Sequence, residues 1–351
     1  MSAPTARWSS GPRSRLRYVL ARVGQGLVVL GLSYLVVFLL LFLLPGDPIR
    51  ARLSDPEANF TQEQVDQLLT YYGMDKPVWE QLWRTLARLA HGDLGYSLTT
   101  VEPVTDRIAE ALPATLELAA VTTLFALLLA AALTALATTA PWQPVRRFAT
   151  AVPAALLSVP TFVIGLLVLQ IFSYQLGLFS TLRADGWAGA VPPAAVLALP
   201  VAAPLTRVLI EHARRTQGEP YVTFARSKGL GQGRLLLAHV ARPSALPGVT
   251  MLGLAVAELV TGSVIVEAVF NRHGIGSVIE AAVSNQDSPT LLGIILLAAT
   301  LVVLVNLVVD LLYPVLDPRL RAEPGRSAEV SDAAPRRAPA TGTRTVEEAV
   351  A

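Results

Sequence analysis

Six apolar stretches govern what this chain can fold into. They run at about 18–44, 114–139, 152–176, 191–210, 246–270 and 289–315, and each is long enough to cross roughly 30 Å of hydrocarbon, which takes about 20 helical residues. Inside a bilayer a helix satisfies its backbone polar groups within one segment, so the pattern predicts an all-α membrane protein with six transmembrane helices. Bulk numbers agree: 53% of the 351 residues are hydrophobic and 15% are charged, where an ordinary soluble domain carries about 25% charged residues. Arg13, Arg15 and Arg17 precede the first stretch, as they would a signal peptide. Its length, and a Pro-Gly-Asp-Pro exit in place of a small-residue cleavage site, mark it as a retained span.

Lys and Arg set the orientation, because cytoplasmic segments beside the spans keep the positive excess. Clusters lie before and at the start of the first span, at Arg146 and Arg147, from Arg207 to Arg242 and in the tail from Arg319 to Arg344. The loop 45–113 instead holds eleven acidic residues against six basic ones. Both termini are therefore placed in the cytoplasm and that loop outside. The loop has helical patterning at 62–72 and 79–90, with Leu82, Leu86 and Leu89 at helical spacing, and is expected to form a small ordered cap. From Ala322 onward the chain is too poor in large apolar side chains to fold alone, which predicts a disordered tail at 322–351. The expected organisation is a cytoplasmic segment 1–17, a first span with its outer loop 18–112, a five-span core 113–321 and the tail.

Several function classes fall away. The absence of cysteine excludes disulfides, thiolate zinc sites and Cys nucleophiles. Four scattered histidines, His91, His212, His239 and His273, make no metal site, and a net charge of +2 in separate clusters leaves no nucleic-acid footprint. The only lysines are Lys76 and Lys228, and neither stands in a Gly-x-x-x-x-Gly-Lys-Ser/Thr phosphate loop. Any ATP that drives this chain is bound and hydrolysed elsewhere. Ser158, Ser173 and Ser263 lack a persuasive base, against an intramembrane hydrolase. An ion-driven secondary transporter would show an internal repeat, and none is evident.

The most informative segment lies in the cytoplasmic loop 211–247. Within Glu219-Pro-Tyr-Val-Thr-Phe-Ala-Arg-Ser-Lys-Gly-Leu-Gly, Pro220 suits the first helical turn and Gly229 the left-handed residue that ends a helix, so a helix of about nine residues is specified. Tyr221, Phe224 and Ala225 then share one face, flanked by Arg226 and Lys228. A short helix with an aromatic knob suits docking into a groove on another protein. The same residues would also suit an amphipathic helix lying on lipid headgroups.

The chain resembles the B-type permease subunits of dipeptide and oligopeptide (and nickel) ATP-binding-cassette importers. The loop is similar to that family's EAA loop at Tyr221, Val222, Ala225, Arg226, Lys228, Gly229 and Leu230, followed by His239, Arg242 and Pro247. Further matching motifs, in the family's order across about 15–321, include Leu-Pro-Gly-Asp-Pro from Leu44, Met74-Asp75-Lys76-Pro77, Gly92-Asp93-Leu94-Gly95 with Ser97, and Pro113-Ala-Thr-Leu-Glu-Leu. They continue with Glu267 and Phe270, Gly274-Ile-Gly276, Asp287, Asp310 with Tyr313, and Asp317-Pro-Arg319. His273 stands where the family has proline.

The resemblance implies a type I permease fold and a transport subunit without catalysis of its own, in a bacterial cytoplasmic membrane. Implied partners are a second, homologous permease, two ATPase subunits that bind ATP and Mg, and an extracytoplasmic substrate-binding protein. Peptides are the expected cargo, with nickel complexes or glycosides as alternatives. Tyr221, Phe224, Ala225, Arg226, Lys228 and Gly229 become the expected ATPase-coupling residues. Charged residues inside spans are costly and read as functional, so Glu117, Glu258, Glu267 and Asp310 are candidates for the translocation pathway. Glu117 and Asp310 sit near span ends, where a structural role competes; Glu258 would line the pathway or pair with the second permease. Gly253, Ala257 and Thr261 permit close helix packing, and Pro153, Pro160, Pro200 and Pro204 predict bends.

Overall fold

The computed structural model describes residues 12–43, 60–73, 76–180 and 186–316. The expected disordered tail, the 44–48 exit motif, residues 74 and 75, and the 317–319 motif lie outside them. Glu258 and Asp310 occupy helical positions, but their side chains are also outside the described set.

Helix α1 (Pro12–Leu43) precedes a cap that contains α2 (Gln62–Tyr72) and α3 (Val78–Ala90). Then follow α4 (Val104–Thr139), α5 (Gln143–Ser158), and α6 (Thr161–Val168), which continues as π-helical turns through Leu169–Gln175. Helix α7 (Gly186–Gln217) precedes the short α8 (Pro220–Ser227). Helix α9 (Gln232–Leu235) passes through a π-helical segment, Leu236–Val240, into α10 (Ala241–Val269); α11 (Ile275–Ser284) and α12 (Ser288–Leu316) complete the described chain.

Among the described residues four helices, α1, α4, α7 and α12, are long and apolar enough to cross a membrane, and α5 with α6 makes a fifth if the bent pair is one span. The fifth expected span falls on α10, a helix of 29 residues with several side chains outside the described set. Two spans differ from expectation. The third is not continuous, because α5 and α6 meet at 97°. Val159 is extended there and Pro160 caps α6, as expected where proline disfavours helical geometry in the residue before it. Pro153, by contrast, sits buried inside α5, and α7 runs unbroken through Pro192, Pro193, Pro200 and Pro204. The second span starts early: α4 begins at Val104 and contains Pro113. Val104, Ile108 and Ala111 pack on Ile275 and Ile294, so tertiary burial carries the helix past the apolar stretch.

The core sits where α4 and α7 pack together. Thr122, Ala126, Ala130 and Thr134 on α4, and Ala190, Ala194, Ala198 and Ala202 on α7, are all buried at four-residue spacing, the pattern that lets backbones approach closely in a membrane. Helix α10 covers the other side of α7, where Gly262 admits Leu197: a β-carbon there would lie 2.9 Å from it. Of the small-residue stripe expected on α10, Gly253 is buried, while Ala257 and Thr261 fall outside the described side chains. Helices α1 and α12 pair at the periphery, with a β-carbon on Gly26 only 2.6 Å from Val303.

The cap helices occur where patterning predicts them. Thr61 and Gln64 form a reciprocal capping box at the start of α2. Tyr71 donates to Asp93, and the Tyr72 hydroxyl bridges the backbone of Tyr96 in both directions. Gly95, at φ +90, has no room for a side chain, since a β-carbon would lie 2.8 Å from the Tyr72 hydroxyl.

Candidate functional site

Helix α8 forms as its sequence dictates. Glu219 is extended at the N-cap and its carbonyl accepts from Val222 and Thr223 at 3.1 Å, while Pro220 fills the first helical position. At the far end Gly229 adopts φ +82 and donates its N–H to the Arg226 carbonyl at 3.0 Å. Among the described residues nothing lies within 4 Å of a β-carbon on Gly229.

One side of α8 is a seat. Val222 and Ala225 are buried against Ala213 of α7 and against Leu235 and Val240, which lead into α10. Ser244 of α10 donates to Thr216 of α7 at 3.3 Å, so the two helices that carry α8 are joined at its base. The other side is a face. Phe224 is 62% exposed and Tyr221 47% exposed, and Arg226 and Lys228 are exposed beside them. Tyr221 is steadied by its hydroxyl, which donates to the His239 carbonyl at 3.3 Å, and the Lys228 ammonium lies 4.5 Å from the Phe224 ring centroid. Ala225, expected on the aromatic face, thus belongs to the seat with Val222, a residue whose part sequence patterning did not separate. Arg242 lies outside the described side chains.

The acidic candidates fall into different surroundings. Glu267 is fully buried near the end of α10. It accepts from the Thr115 hydroxyl at 2.8 Å and the Gly276 N–H at 2.7 Å, and Thr115 in turn accepts from the Ile275 N–H at 2.8 Å. A β-carbon on Gly274 would lie 2.5 Å or less from atoms of the Glu267 carboxylate, so the Gly-Ile-Gly motif wraps this acid. Glu117 accepts from Arg272 at 2.9 Å, and Arg272, 1% exposed, also donates to the Ala114 carbonyl at 3.1 Å. Through these contacts Glu117 and Glu267 help tie the α10–α11 turn to α4. His273 in that turn is exposed, and among the described residues its N–H takes no hydrogen bond, so proline at this position loses no donor.

Sequence reasoning missed Arg272, although a lone arginine between spans bearing buried acids is itself a signal, since buried charges require partners. A second cluster surrounds Asp287, which is fully buried. It accepts from Ser97, from the Leu98 N–H at 3.0 Å and from Thr290, with Arg107 at 3.3 Å. It thereby staples the loop before α4 to the start of α12. Between α4, α7, α10, α11 and α12 lies an apolar cavity of about 140 Å³, where Thr115 and Ser263 are the polar lining residues.

Comparison with known proteins agrees with this architecture. Residues 124–322 match the family described as "Binding-protein-dependent transport system inner membrane component", and residues 15–119 match its N-terminal companion. The glutathione transport system permease protein GsiC of Escherichia coli K12 is 33% identical over 308 residues, which is 87% of this chain and 99% of the relative. The protein of the same name from Shigella flexneri serotype 5b is 32% identical over the same length.

Proposed function

Because the chain belongs to the family of binding-protein-dependent transport system inner membrane components, we propose that it carries short peptides across a bacterial cytoplasmic membrane as one of two homologous permease subunits. It is a transport subunit of an ATP-binding-cassette importer, a system that includes a substrate-binding protein and an ATPase. The finer assembly belongs to this reading: two ATPase subunits holding ATP and Mg, both termini in the cytoplasm, and the cap receiving the binding protein outside. The glutathione relatives favour a short peptide as cargo.

The observation that carries the reading is the division of α8 into a buried seat and an exposed aromatic face, mounted on two long helices at once. A helix held this way transmits a push without deforming. Arg226, Lys228 and Gly229 belong to the docking edge, and Ala225 to its foundation. The apolar cavity lies one residue along the chain from Glu258, since Leu259 lines it. An acid mid-helix at this depth suits the passage of a peptide's amino terminus. Asp310 belongs to the same reading on α12.

The test is gentle purification of the tagged chain followed by vesicle uptake. Recovery of a second permease and phosphate-loop ATPases, with uptake of labelled glutathione or dipeptides that needs ATP and the binding protein, is the expected result. Uptake confined to a nickel complex or a glycoside would reassign the cargo. Transport driven by an ion gradient in the absence of any ATPase would overturn the reading.

A further inference from the structure

Three arginines converge where α4, α5 and α7 end on one side of the core. Arg146 and Arg147 come from the first turns of α5, and Arg214 comes from the last turn of α7. Together with Gln143 and Gln217 they line a pocket of about 330 Å³ that also borders Thr138 of α4. No acidic side chain lines it. Among the described residues none of the three guanidiniums has an acidic partner, and the nearby Glu211 is taken by Arg215 at 2.8 Å. Each guanidinium offers a fork of donors suited to phosphate oxygens, and the two amides add neutral donors. The hydroxyl of Thr138 is turned to its own helix, donating to the Thr134 carbonyl.

A positive-inside bias asks only for net charge, anywhere on the cytoplasmic side. Here residues about 70 positions apart in sequence are brought to one concavity. Helices α4 and α7 are both long and apolar enough to span a bilayer, so their ends lie at headgroup depth. At the same turn Trp142 is 73% exposed and Phe148 68% exposed, the amphipathic and apolar anchors found at membrane interfaces. We infer that this pocket binds the phosphate of an anionic phospholipid headgroup, with Arg146, Arg147 and Arg214 as its ligands and Trp142 and Phe148 against the adjoining acyl region. A bound lipid there bridges α5 to α7 and fixes the angle at which α5 leaves the membrane core. The inference rests on the chain spanning a bilayer and not on which solute it carries.

The test uses the chain with its co-purifying partners, in nanodiscs of phosphatidylcholine alone or with added phosphatidylglycerol. Native mass spectrometry reads the anionic lipid retained by wild type and by Arg146→Gln/Arg147→Gln/Arg214→Gln. Each basic residue near an anionic surface is worth about fivefold in affinity, so the triple variant should lose lipid on the order of 100-fold, and lysine at the three positions should restore much of it. Arg84→Gln, in the outer cap, should change nothing. Equal retention by the triple variant would overturn the assignment. So would displacement of the lipid by excess inorganic phosphate, which would make the ligand a soluble anion. Release of the ATPases with the lipid still bound would make the surface a protein contact instead.

Discussion

Replacing Phe224 with Ala separates docking from folding. A phenylalanine side chain buries about 200 Å² when fully covered, and Phe224 is 62% exposed in this chain, so roughly 120 Å² remains for a partner to cover. At about 25 cal/mol per Å² that is roughly 3 kcal/mol, or about 150-fold in affinity if the partner covers the ring completely. Half coverage still gives about tenfold. The cost to the isolated chain is small, because Phe224 contributes nothing to the seat formed by Val222 and Ala225 beyond its contact with the Lys228 ammonium. The assay is titration of the ATPase subunits onto the permease in nanodiscs, alongside binding-protein-stimulated ATP hydrolysis. Phe224→Ala should weaken ATPase binding by about 10- to 150-fold at unchanged membrane level, and Thr223→Ala, on the exposed side of the same helix, should not. Binding within threefold of wild type would refute the docking role of this face.

Gly229→Asn and Gly229→Val divide two causes at one position. Asn tolerates φ +82 better than Val, which is strained there by about 1–3 kcal/mol, and this chain leaves open space around the position. If only Val impairs transport the demand is conformational; if Asn impairs it equally, the ATPase sits against this glycine. For the outer turn, Arg272→Met should lower the melting temperature and Glu117→Gln should do so too. The double variant should be less destabilised than the sum of the two, by about 1–3 kcal/mol of coupling; strict additivity would show that the 2.9 Å pair is incidental. The cap should respond to alkali. Burial pushes the phenols of Tyr71 and Tyr72 up from their ordinary value of 10.0, reinforced at Tyr71 by its bond to Asp93. Their contribution is therefore intact below pH 10.0 and lost as pH rises above it. Fluorescence of the exposed Trp79 and Trp83 should report the cap loosening above that pH before the helical core melts, and simultaneous loss would count against it.

What the sequence made legible was periodicity and local backbone chemistry. The cap helices, the Pro220 start and the left-handed Gly229 all occur as read, because each depends on neighbouring residues alone. Span boundaries were legible only from hydrophobicity, which says where lipid is tolerated and not where helix stops. Hence α4 begins at Val104, held by packing on Ile275 and Ile294. Pro160 was visible as a bend, but its 97° depends on α5 finding buried sites against α4 and α7. Ala225 was assigned to the aromatic face because helical spacing gives neighbours and not which neighbours are covered. The acids were the least legible, since an acid in a span raises the same signal whatever it meets, and the N–H that Glu267 accepts from and the arginine beside Glu117 are set by tertiary packing.

The placement of the charged clusters constrains how a push on α8 can travel. The Glu267 and Arg272 contacts tie the α10–α11 turn to α4, and Asp287 ties the loop before α4 to α12. Both clamps hold the end of the bundle away from α8, where bonds to buried carboxylates resist sliding. Helix α8 sits at the opposite end of α10, which at 29 residues spans about 43 Å. Under the proposed coupling role, a displacement of α8 is expected to tilt α10 and α7 together, since Ser244 and Thr216 join them at the base. The π-helical segment Leu236–Val240 lies between α9 and α10, where a locally wider turn can absorb a mismatch in rotation. The apolar cavity lies between α7 and α10 on one side and α4, α11 and α12 on the other, so its volume is expected to change if α8 takes the proposed push.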